Sequence, residues 1–147
     1  MKTKKIVYID MDQVLVDFHS HPTLHIPKDY NNHPNMFRDG YFYHLAPLAG
    51  AIEAATQLLN RPDLDVYILT QPVAGTPHSY SDKAKWVEEH LPDFSKRLIM
   101  TQNKLLNKGD YLIDDSIKWA GFDGKFIHFD YKGDTVKEWD RVLKEII

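Results

Sequence analysis

The sequence predicts an α/β fold built on a mostly parallel sheet with helices on both faces. Three observations lead there. Short β-branched runs alternate with segments of helical period along the whole chain. Parallel strands need such crossovers, and these are right-handed. Four strand-like runs also end in polar or charged residues, as strands do on the edge of a sheet that binds ligands.

The first strand is Lys5 to Asp10, an apolar run closed by a D-x-D pair, Asp10 and Asp12. Residues 18–44 have no clear period; they hold His19, His21, His25 and His33 with three prolines, and read as an irregular insertion with a short helix near Asn35 to Tyr41. Pro47 to Asn60 places Leu48, Ile52, Ala55 and Leu59 on one helical face, with Pro47 suited to a helix start. Asp65 to Thr70 is the second strand. Ser81 or Asp82 can cap a helix running to His90, with Trp86, Val87 and Leu91 on one face. Arg97 to Thr101 is the third strand, followed by a short helix or turn at Lys104 to Lys108. Tyr111 to Asp115 and Lys125 to Phe129 are the fourth and fifth strands. Thr135 to Ile147 is an amphipathic helix with Val136, Trp139, Leu143 and Ile146 or Ile147 inward. At 147 residues, this order makes residues 1–147 one domain with an insertion after the first strand.

Composition narrows the function. Apolar residues make 43% and charged residues 27% of the chain, the balance of a soluble globular protein. A net charge of −3 does not suit a nucleic-acid polymer as partner. No apolar stretch is long enough for a membrane span or a signal peptide. Cysteine is absent, which excludes disulfides and thiolate ligands and fits a cytoplasmic protein. Composition leaves the oligomeric state open, a homodimer included.

The chemistry lies in the strand ends. In a parallel sheet Asp10 and Asp12, Thr70, Thr101 with nearby Lys104, and Asp114 with Asp115 share one edge. Carboxylates gathered there repel unless a hard cation sits among them, and Mg²⁺ takes carboxylates together with phosphate oxygens. A lysine and a threonine hydroxyl supply donors to phosphate. Metal, phosphate clamp and spare carboxylate point to phosphoryl transfer on a small phosphate ester.

The string IVYIDMDQVLVDF, Ile6 to Phe18, resembles the first motif of the haloacid dehalogenase superfamily of phosphatases. In its longer form it is similar to the 5'(3')-deoxyribonucleotidase branch, as are YFYHLAPLAGAIEA and KAKWVEEHLPDF further on. The resemblance implies a Rossmann-like fold with a small cap insertion and a Mg²⁺-dependent phosphomonoesterase acting on nucleoside monophosphates. It implies Asp10 as nucleophile, through an aspartyl phosphate, and Asp12 as acid and base. It implies Thr70, Gln71, Lys104 and Phe18 at the substrate. Mg²⁺ would be held by Asp10, Asp114 and Asp115 with the Asp12 carbonyl. Three departures stand out. Gln13 and Gln71 replace the Gly and Ser of the pattern. The insertion is much shorter than the family's cap, and only Tyr30, Phe37, Tyr41 and Phe42 are candidates for its base-sandwiching aromatics.

The blander readings are also open. Lys83 reads as a solvated helix-start lysine or as a second phosphate contact. His19, His21, His25 and His33 read as surface polarity, with a zinc site as the alternative. Two further functions compete with a nucleotidase: a phosphatase for another small or larger ester, and a non-catalytic binding module of the same fold.

Overall fold

The computed structural model describes residues 3–28 and 33–146. Five strands form its sheet: β1 (Lys5–Ile9), β2 (Leu64–Thr70), β3 (Leu98–Met100), β4 (Tyr111–Asp114) and β5 (Lys125–His128). They lie in the order β3-β2-β1-β4-β5, all parallel. The chain runs outward from β1 through β2 to β3, then returns to the other side of β1. The turning point between β1 and β4 is where such sheets bind ligands. Ile9 lies opposite Ile68 and Ile113. That register brings Asp10, Thr70 and Asp114 out together at one edge.

Three α-helices, α1 (Ala51–Leu59), α2 (Pro77–His90) and α3 (Thr135–Glu145), cover one face of the sheet. There Val7, Ile9, Val66, Ile68 and Ile113 pack with Ala55, Leu58, Trp86 and Trp139. On the other face Tyr8, Leu69 and Leu112 are covered by Trp119 and Phe122, from the 3-10 helix Ile117–Trp119 and the turn after it. Helices thus lie on both faces, but unequally. The reason is length: residues 101–110 and 115–124 are all that join β3 to β4 and β4 to β5. A crossover carrying an α-helix needs a dozen or more residues.

Several boundaries differ from expectation. Helix α2 starts at Pro77, not at Ser81 or Asp82, because Pro fits the first helical turn. Helix α1 buries Ala51, Ala54, Ala55 and Leu58, with Leu48, Ile52 and Leu59 only flanking the core. In α3 Val136 is exposed while Thr135, Trp139 and Val142 are buried. Asp134 fixes that start by accepting the N–H bonds of Val136 and Lys137.

Among its described residues the insertion holds one regular element, the 3-10 helix Pro34–Phe37, and it is anchored by Ile26, Met36, Tyr41 and Phe42 in the core. It is also tied to α2. The Gly40 N–H donates to Asp82 Oδ2 at 2.8 Å, and His78 Nε2 donates to the Phe37 carbonyl at 2.8 Å. The histidines serve local turns. His21 Nδ1 accepts from the Thr23 and Leu24 N–H groups while its ring stacks on Tyr41, and His33 Nδ1 accepts from Asn35. Among the described residues no helix is long and apolar enough to cross a membrane.

Candidate active site

Asp10 follows β1 directly, its N–H bonded to the Ile113 carbonyl at 2.9 Å, so the ladder with β4 sets its position. The chain then turns sharply: the N–H groups of Val14, Leu15 and Val16 all donate to the Met11 carbonyl. Gln13 carries this turn at φ 65°, the one positive-φ residue other than glycine among those described. An L side chain is strained there. Its amide oxygen compensates by accepting the Phe18 N–H at 3.2 Å.

Two buried lysines organise the floor. Lys104 Nζ donates to Asp10 Oδ1 and to Asp114 Oδ2, each at 2.7 Å. It stands on the short 3-10 helix Lys104–Leu106, capped by the Asn103 side chain. Burial alone would lower the Lys104 pKa, but Asp10 and Asp114 more than reverse this and raise it. Lys83 Nζ donates to Asp12 Oδ2 at 2.9 Å and to Thr70 Oγ1 at 3.0 Å. It is 1% exposed, so the solvated reading is wrong: α2 turns it toward the sheet edge. The sequence carried a signal for this. Lys83 stands three and four residues before Trp86 and Val87, on the same helical face.

Asp10, Asp114 and Asp115 offer three carboxylate oxygens within 4.8 Å of one another. Burial, then the Asp114 charge, pushes Asp10 up to about 6 despite Lys104. Burial, then the charge of Asp10 and a hydrogen bond to it, pushes Asp115 up to about 9. The cluster therefore holds more carboxylate than its lysine can neutralise. Asp12 lies outside this trio, with Oδ1 buried and without a hydrogen-bond partner among the described residues. Thr101 turns away, its hydroxyl closing the 101–103 turn.

Asp10, Asp12, Lys104, Asp114 and Asp115 form the floor of a cavity of about 280 Å³, which also takes in Thr70; Lys83 supports Asp12 and Thr70 without lining it. That is the low end for small-molecule sites and suits a small ester. Phe18 and His19 stand on one wall, the Phe18 ring resting against Tyr41 and Phe42. Tyr41 and Phe42 are buried in the core and Phe37 is exposed. None of the three lines the cavity; Tyr30 lies outside the described residues. Two further aromatics line the cavity, Trp119 and Tyr131, which follow β4 and β5. Gln71 and Lys118 complete the rim. The single-turn 3-10 helix Ile117–Trp119 delivers Lys118 and Trp119 and a turn delivers Tyr131, and no sequence period marks them.

A family model for 5' nucleotidase, deoxy (pyrimidine), cytosolic type C protein matches residues 27–142. A protein of Vibrio phage KVP40 assigned as a 5'(3')-deoxyribonucleotidase is 43% identical over 145 residues, 95% of this chain and 83% of that one. The human cytosolic-type 5'(3')-deoxyribonucleotidase is 42% identical over 77 residues, 52% of this chain and 38% of that protein. The 5'(3')-deoxyribonucleotidase of Bacillus subtilis is 29% identical over 98% of this chain and 99% of its own. A crystal structure of a haloacid dehalogenase-like family hydrolase from Xanthomonas campestris superposes with a TM-score of 0.58, covering 98% of this chain and 96% of that one at 13% identity.

Proposed function

Because this chain belongs to the 5'(3')-deoxyribonucleotidase family of haloacid dehalogenase-like hydrolases, we propose that it is a Mg²⁺-dependent phosphomonoesterase of nucleoside monophosphates. The observation that carries the reading is the floor of the cavity, where three crowded carboxylates share one buried lysine, Lys104, while a second buried lysine, Lys83, holds Asp12 beside them. The donor set fits a hard divalent cation: all oxygen, anionic, and forced to retain protons when no cation shares the charge. Asp10, Asp114 and Asp115 would hold Mg²⁺ together with the Asp12 carbonyl. When bound, the ion supplies positive charge against the phosphoryl oxygens.

The remaining steps belong to the chain itself. An Asp10 carboxylate oxygen attacks phosphorus, forming an O–P bond as the bond to the ester oxygen breaks. Asp12 gives its proton to that leaving oxygen. Asp12 then takes a proton from water, whose oxygen attacks the aspartyl phosphate, frees phosphate and regenerates Asp10. Lys104 and Lys83 keep Asp10 and Asp12 in place, and Thr70 and Gln71 border the phosphoryl group. Phe18 meets the nucleoside. In this reading residues 1–147 are one cytoplasmic domain and residues 18–44 a reduced cap.

The test is phosphate release from a panel of deoxy- and ribonucleoside 5'- and 3'-monophosphates and p-nitrophenyl phosphate, with and without Mg²⁺. Mg²⁺-dependent release from nucleotides is expected. Cleavage of p-nitrophenyl phosphate alone moves the substrate to another ester. No cleavage of any ester leaves a binding module.

A further inference from the structure

Gln71 does not bring an amide donor to the cavity. Its Nε2 donates to Gln102 Oε1 at 3.1 Å. Gln102 is itself oriented, since its Nε2 donates to the Pro72 carbonyl at 2.8 Å and to Tyr80 Oη at 3.3 Å. The oxygen of Gln71 must therefore face the other way, and it accepts from Lys118 Nζ at 2.9 Å. The same ammonium lies 4.8 Å from the Trp119 ring centroid. Lys118 and Gln71 both line the cavity that holds Asp10, Asp12 and Thr70.

The partners of Lys118 differ in kind from those of the two buried lysines. Lys83 and Lys104 are each paired with carboxylates. Among the described residues Lys118 meets no carboxylate; a neutral amide oxygen and an aromatic face hold it. An ammonium has three donors, and the Gln71 bond uses one. Lys118 thus keeps its full charge and spare donors at the cavity mouth while its position is fixed. Gln71 stands where the family pattern has a serine, and a serine hydroxyl could not reach across to it.

We propose that Lys118, held by Gln71, binds a non-bridging oxygen of the substrate's phosphoryl group, so that Gln71 is a positioning residue acting through Lys118. The ligand class is a phosphate dianion on a small ester. This rests on the phosphatase reading of the same cavity, but binding can be tested without turnover.

The experiment measures inorganic phosphate binding by calorimetry in the presence of Mg²⁺, alongside kcat and KM for a deoxynucleoside 5'-monophosphate. Three variants suffice. Lys118→Gln should weaken phosphate about five- to twentyfold, the scale of one lost charge-assisted bond in an exposed place. KM should rise in step while kcat stays within about twofold. Lys118→Arg should bind phosphate within about threefold of wild type, since it keeps the charge. Gln71→Leu separates positioning from direct contact: it removes the acceptor that holds Lys118 without adding charge, so phosphate binding should fall toward that of Lys118→Gln with the melting temperature unchanged. The Lys118 side chain is exposed, so these variants should fold, which melting curves check. Phosphate binding in Lys118→Gln equal to wild type overturns the inference, as does a wild type that binds no phosphate. Lys118-dependent phosphate binding without nucleotide hydrolysis upholds it and removes the nucleotidase reading instead.

Discussion

Replacing Lys83 with Met tests one of the two least exposed charges in the site. Met keeps most of the stem that carries the ammonium to 4.7 Å from the Phe42 ring centroid, so packing changes little. The loss is electrostatic. One charge-assisted bond, to Asp12, contributes about 1.5–3 kcal/mol, and the bond to Thr70 about 1 kcal/mol. Against this, the ammonium no longer has to be desolvated, which returns part of the sum. Removing one partner of a fully buried pair costs about 3–5 kcal/mol. Asp12 has a side chain 27% exposed, so it recovers some water and the cost is smaller. Its Oδ1 already lacks a partner, which limits that recovery. The expected loss is about 1–3 kcal/mol, read from urea unfolding. Lys83→Met with Asp12→Asn removes both charges, and the double variant should lie about 1–2 kcal/mol closer to wild type than the sum of the singles. Turnover of Lys83→Met should fall about 10²–10³-fold, because Asp12 loses the group that aims it. A variant as stable as wild type, with effects that simply add to those of Asp12→Asn, would refute the pairing as the source of Asp12's placement.

Four other outcomes are expected. Asp10→Asn should lose several orders of magnitude in kcat with its circular dichroism unchanged, and retention of most activity excludes covalent catalysis by this residue. Asp10 and Asp115 hold protons in the folded state to about 6 and about 9. Raised folded values mean stability present below the unfolded pKa near 4 and lost as pH rises through them, so without Mg²⁺ the melting temperature should fall from about pH 5 to pH 9. Mg²⁺ should restore it most at high pH, and a melting temperature independent of pH without metal contradicts the crowding. Phe18→Ala should raise KM for nucleotides by about tenfold or more while changing kcat less, and the wild type should take several nucleoside monophosphates with similar kcat/KM. A preference above about a hundredfold for one base, measured across the panel, contradicts the open aromatic walls. Gln13→Gly relieves a left-handed backbone by about 1–2 kcal/mol but gives up the bond to Phe18 and adds unfolded-chain freedom, so urea unfolding should show a change within about 1 kcal/mol of zero.

Legibility followed from how local each signal was. β1 and β4 could be read because a buried β-branched run that ends in aspartate is rare without a purpose. The parallel order then brought Asp10, Thr70 and Asp114 together without further information. Lys104 has no period, since it stands on a short turn; its place just after the polar end of the third strand made it legible, and the family pattern added its role. Lys83 had a period and was still misread: surface lysines at helix starts are common, and only its partners Asp12 and Thr70, 71 and 13 residues away, show why it is buried. Val136 was taken as inward because apolar residues usually are, but the cap at Asp134 rotates α3 so that Thr135 takes the inner place, its hydroxyl bonded to the Ala49 carbonyl at 2.7 Å. The two further aromatics, Trp119 and Tyr131, were invisible because a single-turn helix and a turn place them.

The central position of β1 has a consequence for how the chain acquires its site. Of the five described strands the first in chain order becomes the middle one, and its partners arrive much later: Lys5 waits for Leu64, and Val7 waits for Tyr111. Until β4 docks, Asp10 has neither Asp114 beside it nor Lys104 across from it, and an ammonium is desolvated favourably only when its anions are already present. The floor therefore cannot be assembled piecemeal on a nascent chain. It closes with the longest-range pairing, β1 with β4, the slow kind of event in folding, so a chain interrupted before residue 114 holds an intact first motif without the acid that shares Lys104 with Asp10.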